Sequence, residues 1–319
     1  MKQQYKAELL LLLITFIWSG TFSIVKKALD DVSPLIFLGV RFGISAVLYI
    51  FFFHNSFKHF NSLAFKHALI VAFFLFAGFA FQTVGLKYTT ASKSAFITGM
   101  LVIFTPIAQS IIERKPPKPG NLIGISLVTL GLLLLTSKDD SIESFVYSLG
   151  KNFTIGDFLT LLCAVMFALY IVYIDIYSRQ HPTHILVLVQ LALTSVSSFL
   201  IAFIFEEPKI NLTTGLFFAL IYTSLLATVF ATYVQTAYQK FTTPTRAAVI
   251  FTMEPVFAGI IAWIFLSEKL SPLAVFGSIL MLAGLLISEL SDVIFKGDFR
   301  NFLRRKTNLL LNLSSVLQK

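Results

Sequence analysis

The sequence predicts an all-α polytopic membrane protein whose ten transmembrane helices form two inverted five-helix repeats. Three observations carry that expectation. The 319 residues are 56% hydrophobic and only 13% charged, whereas a soluble domain averages about 25% charged. With a mean hydropathy of +0.83, the chain lacks the polar surface to cover a water-soluble core, and the bilayer is the solvent that fits. Ten apolar runs then approach the roughly 20 residues that cross hydrocarbon as a helix. Finally, the second half repeats the first.

The runs in the first half cover residues 7–26, 33–53, 67–87, 93–112 and 119–137. Those in the second cover 156–177, 184–205, 213–239, 246–266 and 271–290. Short connections rich in Pro, Asn, Asp and Lys separate them, as turn chemistry requires. The first run has no small-residue cleavage pattern and reads as a retained span rather than a signal peptide. The domain boundaries follow: a first repeat over 7–137, a second over 156–290, and a tail over 291–319. The tail carries apolar residues at helical spacing around Arg304, Arg305 and Lys306. That pattern predicts a basic amphipathic helix lying on an anionic leaflet.

The repeat has an offset of 153 residues. Gln82-Thr83, Lys87, Thr89-Thr90, Ala95, Pro119, Gly124 and Gly131 recur as Gln235-Thr236, Lys240, Thr242-Thr243, Ala248, Pro272, Gly277 and Gly284. Ungapped from Gln82 to Leu135, 17 of 54 positions are identical. In the first two spans of each half the better offset is 149, which sets Trp18 opposite Phe167 and Arg41 opposite Gln190. Five spans per copy force the second copy to run backwards through the membrane, a transporter architecture. With the N-terminus placed in the cytoplasm, Lys and Arg favour the inner connections two to one. The expected location is a bacterial cytoplasmic membrane with both termini inside.

Several motifs resemble an EamA domain of the drug/metabolite transporter superfamily. Thr15-Phe16-Ile17-Trp18-Ser19-Gly20 followed by Pro34 and Arg41 is similar to its opening. Thr243-Pro244-Thr245-Arg246-Ala247-Ala248, Glu254-Pro255-Val256 and Glu268-Lys269-Leu270-Ser271 are similar to its closing, and Ser92-Lys93-Ser94-Ala95-Phe96-Ile97-Thr98-Gly99 to the matching part of the first repeat. The resemblance covers residues 7–290. It implies ten helices, inverted repeats, alternating access around a central cavity, and a packing or homodimerising role for the fifth and tenth helices.

Glu254 is the foremost candidate for function. It falls near the middle of its span, where an intramembrane carboxylate must be offset by a cation, a proton, a polar partner or water. It is a candidate proton carrier or solute ligand, or else a hydrogen-bonded residue that pins the helix at Pro255. Its counterpart in the first half is Leu101. Pro255 and Pro106 are expected to kink their helices, because each lacks a backbone donor. Arg41 is expected to bind an anionic group, pair with a carboxylate, or snorkel to the interface. Lys93 and Arg246 are repeat equivalents on opposite faces, expected as gate-side charges or headgroup anchors. Gln82 and Gln235 are expected to point inward, as interhelical hydrogen-bonding residues or solute contacts. Trp18, Tyr88, Tyr222, Tyr233 and Tyr238 are candidates for an aromatic cavity wall or for packing. Gly124 with Gly131, and Gly277 with Gly284, lie two turns apart and predict close helix packing. Glu8, Asp175, Glu268 and Glu289 read as interfacial.

These features predict a secondary active transporter, operating as an exporter of a small organic metabolite or drug-like solute, with possible proton coupling. The alternatives are a transporter or flippase of an amphiphilic or lipid-linked substrate, or a non-transporting membrane scaffold. No P-loop is present, so ATP drive is not expected. The five histidines read as loop residues without an HExxH pattern, so neither an enzyme nor a metal site is expected. No cofactor and no nucleic-acid partner are expected, because the net charge of +9 is scattered through connections and tail. The single cysteine, Cys163, excludes a disulfide framework. Two Asn-X-Thr sequences, at Asn152 and Asn211, are discounted as glycosylation sites.

Overall fold

A computed structural model describes residues 2–54, 62–114, 116–136, 153–266 and 272–294. Helix is the only regular structure among them, apart from a single bridge between Val32 and Ile210. That is what hydrocarbon demands, since helices satisfy their own backbone donors and acceptors.

The chain forms α1 (Lys2–Ser19), α2 (Thr21–Ala28), α3 (Pro34–Phe53), α4 (Ser62–Tyr88), α5 (Ala91–Gly99), α6 (Leu101–Glu113) and α7 (Pro119–Thr136). It continues as α8 (Ile155–Ser178), α9 (Thr183–Phe205), α10 (Thr214–Ser224), α11 (Ala231–Tyr238), α12 (Pro244–Phe251), α13 (Glu254–Leu266) and α14 (Pro272–Ile294). Seven helical stretches among the described residues are long and apolar enough to cross a membrane. Two shorter apolar helices, within α7 and α14, accompany them. The predicted tail from residue 295 onward, Glu268, Lys269 and Asn152 lie outside the described residues, as does the side chain of Glu289.

Local sequence sets the helix starts. Pro34, Pro119, Pro244 and Pro272 open α3, α7, α12 and α14, where a missing backbone donor costs nothing. Thr90, Thr154, Thr213 and Thr243 cap α5, α8, α10 and α12 by accepting a hydrogen bond from the third helical residue. Large apolar side chains such as Val47, Phe51, Phe203 and Phe218 face outward, as a lipid-facing surface requires.

Three predicted spans are broken rather than continuous. The first span breaks at Gly20, between α1 and α2. The fourth breaks at Met100 and the ninth at Thr252-Met253. Met100 N–H bonds to Ile97 O at 3.1 Å, and Met253 N–H to Ile250 O at 3.0 Å. These tight turns occupy repeat-equivalent positions. The two prolines sit differently with respect to these breaks. Pro106 lies inside an uninterrupted α6, and Pro255 is the second residue of α13, where its missing donor is tolerated. The breaks precede both prolines.

α7 and α14 cross antiparallel through their glycines. A Cβ on Gly131 would lie 2.5 Å from Gly277 O, and one on Gly124 would lie 2.7 Å from Gly284 O. The reverse contacts, Gly277 to Gly131 O and Gly284 to Gly124 O, are equally close. Each glycine thus meets the repeat counterpart of the other, which only a hydrogen at Cα permits.

Candidate solute-binding site

A cavity lies between the two halves of the chain. It is lined by Trp18, Thr21, Arg41, Leu75, Phe79, Gln82, Thr98 and Leu101 from the first half. Phe167, Tyr170, Ile171, Thr232, Gln235, Phe251 and Glu254 line it from the second. It offers about 70 Å³ to the centres of water-sized molecules, several times the roughly 10–15 Å³ that one water needs.

The lining follows the repeat. At the offset of 149, Trp18 matches Phe167 and Thr21 matches Tyr170. At 153, Phe79 matches Thr232, Gln82 matches Gln235, Thr98 matches Phe251, and Leu101 matches Glu254. Only the glutamines are identical, so equivalent backbone positions carry different chemistry on the two walls.

Breaks in the helices place the polar groups. Trp18 and Thr21 flank the turn at Gly20. Thr98 and Leu101 flank the turn at Met100, and Phe251 and Glu254 flank Thr252-Met253. Glu254 is half-buried and belongs to the cavity wall. It begins α13, where the positive end of the helix dipole favours a carboxylate.

Arg41 is held by a second irregularity. Residues Leu225–Phe230 form a π-helical turn between α10 and α11, a feature that recurs at functional sites. Within it Ala231 N–H reaches Leu226 O and Thr228 O, releasing Ala227 O. That carbonyl accepts from Trp18 Nε1 at 3.0 Å and from an Arg41 terminal nitrogen at 3.4 Å. Arg41 Nε donates to Thr228 Oγ1 at 2.7 Å, and its guanidinium lies 4.9 Å from the Phe79 ring centroid. Arg41 is 3% exposed. It therefore does not snorkel, and among the described residues no carboxylate lies within 4.0 Å of it. Among the described residues the cavity lining holds one arginine, Arg41, and one carboxyl group, Glu254, with no ion pair between them.

The glutamines point inward as expected, Gln82 bonding to a neighbouring helix and Gln235 within its own span. Each lines the cavity, and each is tethered: Gln82 Nε2 donates to Thr98 Oγ1 at 3.4 Å, and Gln235 Nε2 to Gln239 Oε1 at 3.0 Å. Tyr170 donates to Gln190 at 2.9 Å. Tyr170, Phe167, Thr98 and Thr232 were not singled out by the sequence, although the two offsets applied to Trp18, Thr21 and Phe79 point to three of them and to Thr98 through Phe251.

Four expected wall residues lie elsewhere. Tyr88 is exposed at the end of α4 with Lys87 over its ring. Tyr233 stacks on Phe53 beside His184, outside the cavity. Tyr222 donates to Ile17 O, and Tyr238 packs under Lys6. Helical phase turns Tyr233 away from the face that carries Gln235, whereas Tyr238 shares that face but lies nearly one turn beyond it, where it meets Lys6.

The charges expected near the span ends are paired. Lys93 Nζ lies 2.8 Å from Asp157, and an Arg246 terminal nitrogen 3.6 Å from Glu8. Neither cation stands as a lone headgroup anchor. Glu8 and Asp175 are buried rather than interfacial, Asp175 being bound to Arg179 at 2.9 Å. His67 and His184 lie within α4 and α9 rather than in loops. His67 Nδ1 meets His181 Nε2 at 2.7 Å, and burial, then the neighbouring His67, lower the His181 pKa. Among the described residues no group of three or more His, Cys, Asp or Glu is placed to hold a metal.

The EamA-like transporter family matches the chain twice, over residues 5–137 and 154–290. The chain belongs to this family. An uncharacterised transporter of Archaeoglobus fulgidus is 33% identical over 285 residues, covering 89% of this chain and 86% of the relative. Probable amino-acid metabolite efflux pumps of Escherichia coli and Salmonella typhimurium are 27% and 26% identical, each match covering 89% of this chain and 94% of the relative. A solved crystal structure superimposes with a TM-score of 0.71 at 16% identity, over 89% of this chain and 98% of that one, and so shares the fold. The family member described here is a multi-pass membrane transporter.

Proposed function

We propose that this chain is a secondary active exporter of a small organic solute, binding it in the central cavity and alternating between two inverted five-helix halves. The observation that carries the reading is the cavity wall built from repeat-equivalent positions. A two-fold-related wall is what two rocking halves need around a fixed site. The antiparallel exchange of glycines between α7 and α14 supports the same inversion. The ten-span count, the cytoplasmic membrane and the cytoplasmic placement of both termini belong to this proposal.

Arg41 on one wall and the Glu254 carboxyl on the other favour a solute carrying both an acidic and a basic group, in keeping with the relatives named as probable amino-acid metabolite efflux pumps. Glu254 is the proposed site of proton exchange against the solute. The charged groups of Arg41 and Glu254 in the lining disfavour the lipid-linked alternative, because an acyl chain placed there would leave them without polar partners. A metabolite thermal-shift screen on purified protein, followed by counterflow in proteoliposomes, tests the reading. Stabilisation and counterflow by small zwitterions support it. A response confined to acyl-chain or lipid-linked compounds overturns it.

A further inference from the structure

The two ion pairs flanking the cavity are copies of one device. Lys93 and Arg246 are equivalent at the offset of 153, as are Thr89 and Thr242. Asp157 and Glu8 are equivalent at the offset of 149. At one face Asp157 takes Lys93 at 2.8 Å and the Thr89 hydroxyl at 2.5 Å. At the other Glu8 takes Arg246 at 3.6 Å and the Thr242 hydroxyl at 2.9 Å. Lys26 Nζ donates to Thr89 O, and an Arg179 terminal nitrogen donates to Thr242 O, so the flanking backbone is secured alike. Each pair ties the opening helix of one half to the broken helix of the other.

The broken helices make such a tie consequential. α5 carries Lys93 and ends at Met100; α12 carries Arg246 and ends at Thr252-Met253. Past each break the chain resumes with a cavity residue, Leu101 or Glu254. Met100 has φ −62° and ψ −9°, and Thr252 φ −71° and ψ −2°. Rotation there costs little, because the regular hydrogen-bond ladder is already interrupted. A short helix bounded by a break can swing while its continuation stays packed, and such hinges need few residues.

We propose that Lys93–Asp157 and Arg246–Glu8 are reciprocal latches, each closing one face of the cavity by holding α5 or α12 against the opposite half. This rests on the alternating-access reading above. The latches are unequal in this structure. Asp157 also accepts from Thr154 N–H at 2.9 Å within a capping box, and both its oxygens are engaged. Glu8 has one oxygen, Oε2, buried without a hydrogen bond, and its cation is 0.8 Å further away by difference of the two distances. The Arg246–Glu8 latch is therefore the one poised to release, opening the face where α1 begins.

Sided labelling tests this without depending on transport. In a Cys163→Ala background, Thr232→Cys places a reporter thiol on the cavity wall. A membrane-impermeant maleimide is applied to one face or the other of oriented vesicles. Glu8→Gln is expected to speed labelling from the α1 face by about tenfold or more, a shift available to a two-state equilibrium, and Asp157→Asn to do so from the opposite face. Arg246→Gln and Lys93→Gln repeat the two arms, the latter leaving the Asp157 capping box intact. The unmodified latches should label faster from the α1 face. Acceleration at the same face by both kinds of variant, or unchanged rates in all four, overturns the latches. Sided labelling in a protein that moves no solute would overturn the transport reading and leave the latches standing.

Discussion

The two walls of the cavity share a backbone plan and differ in chemistry. Both present residues from the first and third spans and two beside the break in the fourth. At the break, the first half offers Thr98 and Leu101, and the second offers Phe251 and Glu254. Arg41 lines the cavity in the first half, whereas its counterpart Gln190 is withdrawn and bonded to Tyr170 and Thr236. Duplication supplies a frame that either half can move, while divergence supplies a site with direction: a cation on one wall and a carboxylate on the other.

Moving the carboxylate breaks that comparison most severely. Glu254→Leu makes the two walls alike, and counterflow is expected to fall by roughly 10–100-fold, the worth of a hydrogen bond to a charged group at about 1.5–3 kcal/mol. Adding Leu101→Glu restores a carboxylate at the equivalent position. Recovery of solute-induced thermal stabilisation in the double variant would show that the walls are interchangeable. Continued loss would tie function to Glu254's own helix start.

Arg41→Gln copies the Gln190 side onto the first wall. It removes the donors to Thr228 and Ala227, and weaker binding of acidic and zwitterionic solutes by about tenfold is expected, with the smaller change for uncharged ones. Titration calorimetry with matched solutes would separate the two. Equal losses for both would assign Arg41 to packing alone.

The glycine crossing gives a smaller effect that should be symmetric. Gly131→Ala and Gly277→Ala each press a methyl onto the other helix's carbonyl, at about 1–3 kcal/mol. Both should lower the melting temperature by several degrees, to a similar extent. A large disparity would argue against equivalent roles for α7 and α14.

Glu206 gives the smallest. It accepts from Leu35 N–H at 3.0 Å beyond the end of α9, and burial raises its pKa above the usual carboxylate range, partly offset by that bond and by Lys87. A folded-state pKa above the unfolded value means stability present at low pH and lost as pH rises through the folded pKa. Glu206→Gln should therefore gain on the parent protein by about 1–2 °C above that range and not below it, with the modest size set by solvent screening. A constant difference across pH would remove the titration.

Much of this was legible in the sequence, and the limits are instructive. Composition and run length gave membrane helices, because each span must be apolar almost throughout. The repeat marked the glycine crossing and the paired glutamines, since close packing and buried amides tolerate few substitutes. Glu254 and Arg41 stood out because intramembrane charge is costly. Helix breaks were misplaced: Pro255 marks the start of α13 rather than a bend within it, and the turn at Met100 follows Gly99, well before Pro106. The π-helical turn that frees Ala227 O carries no composition signal. Asp157 went unnoticed as a partner for Lys93, because span-end acids look solvated until a partner helix covers them. Tyr88 and Tyr233 were misjudged because aromatic abundance conceals helical phase.

The central claim is that Glu254 couples solute movement through this cavity to protons. Counterflow of a zwitterion identified by thermal shift, measured in proteoliposomes with and without an imposed pH gradient, tests it most directly. Acceleration by the gradient in the parent protein, lost in Glu254→Gln while solute exchange without a gradient persists, is the expected result. Full transport with unaltered gradient dependence in Glu254→Gln would contradict it.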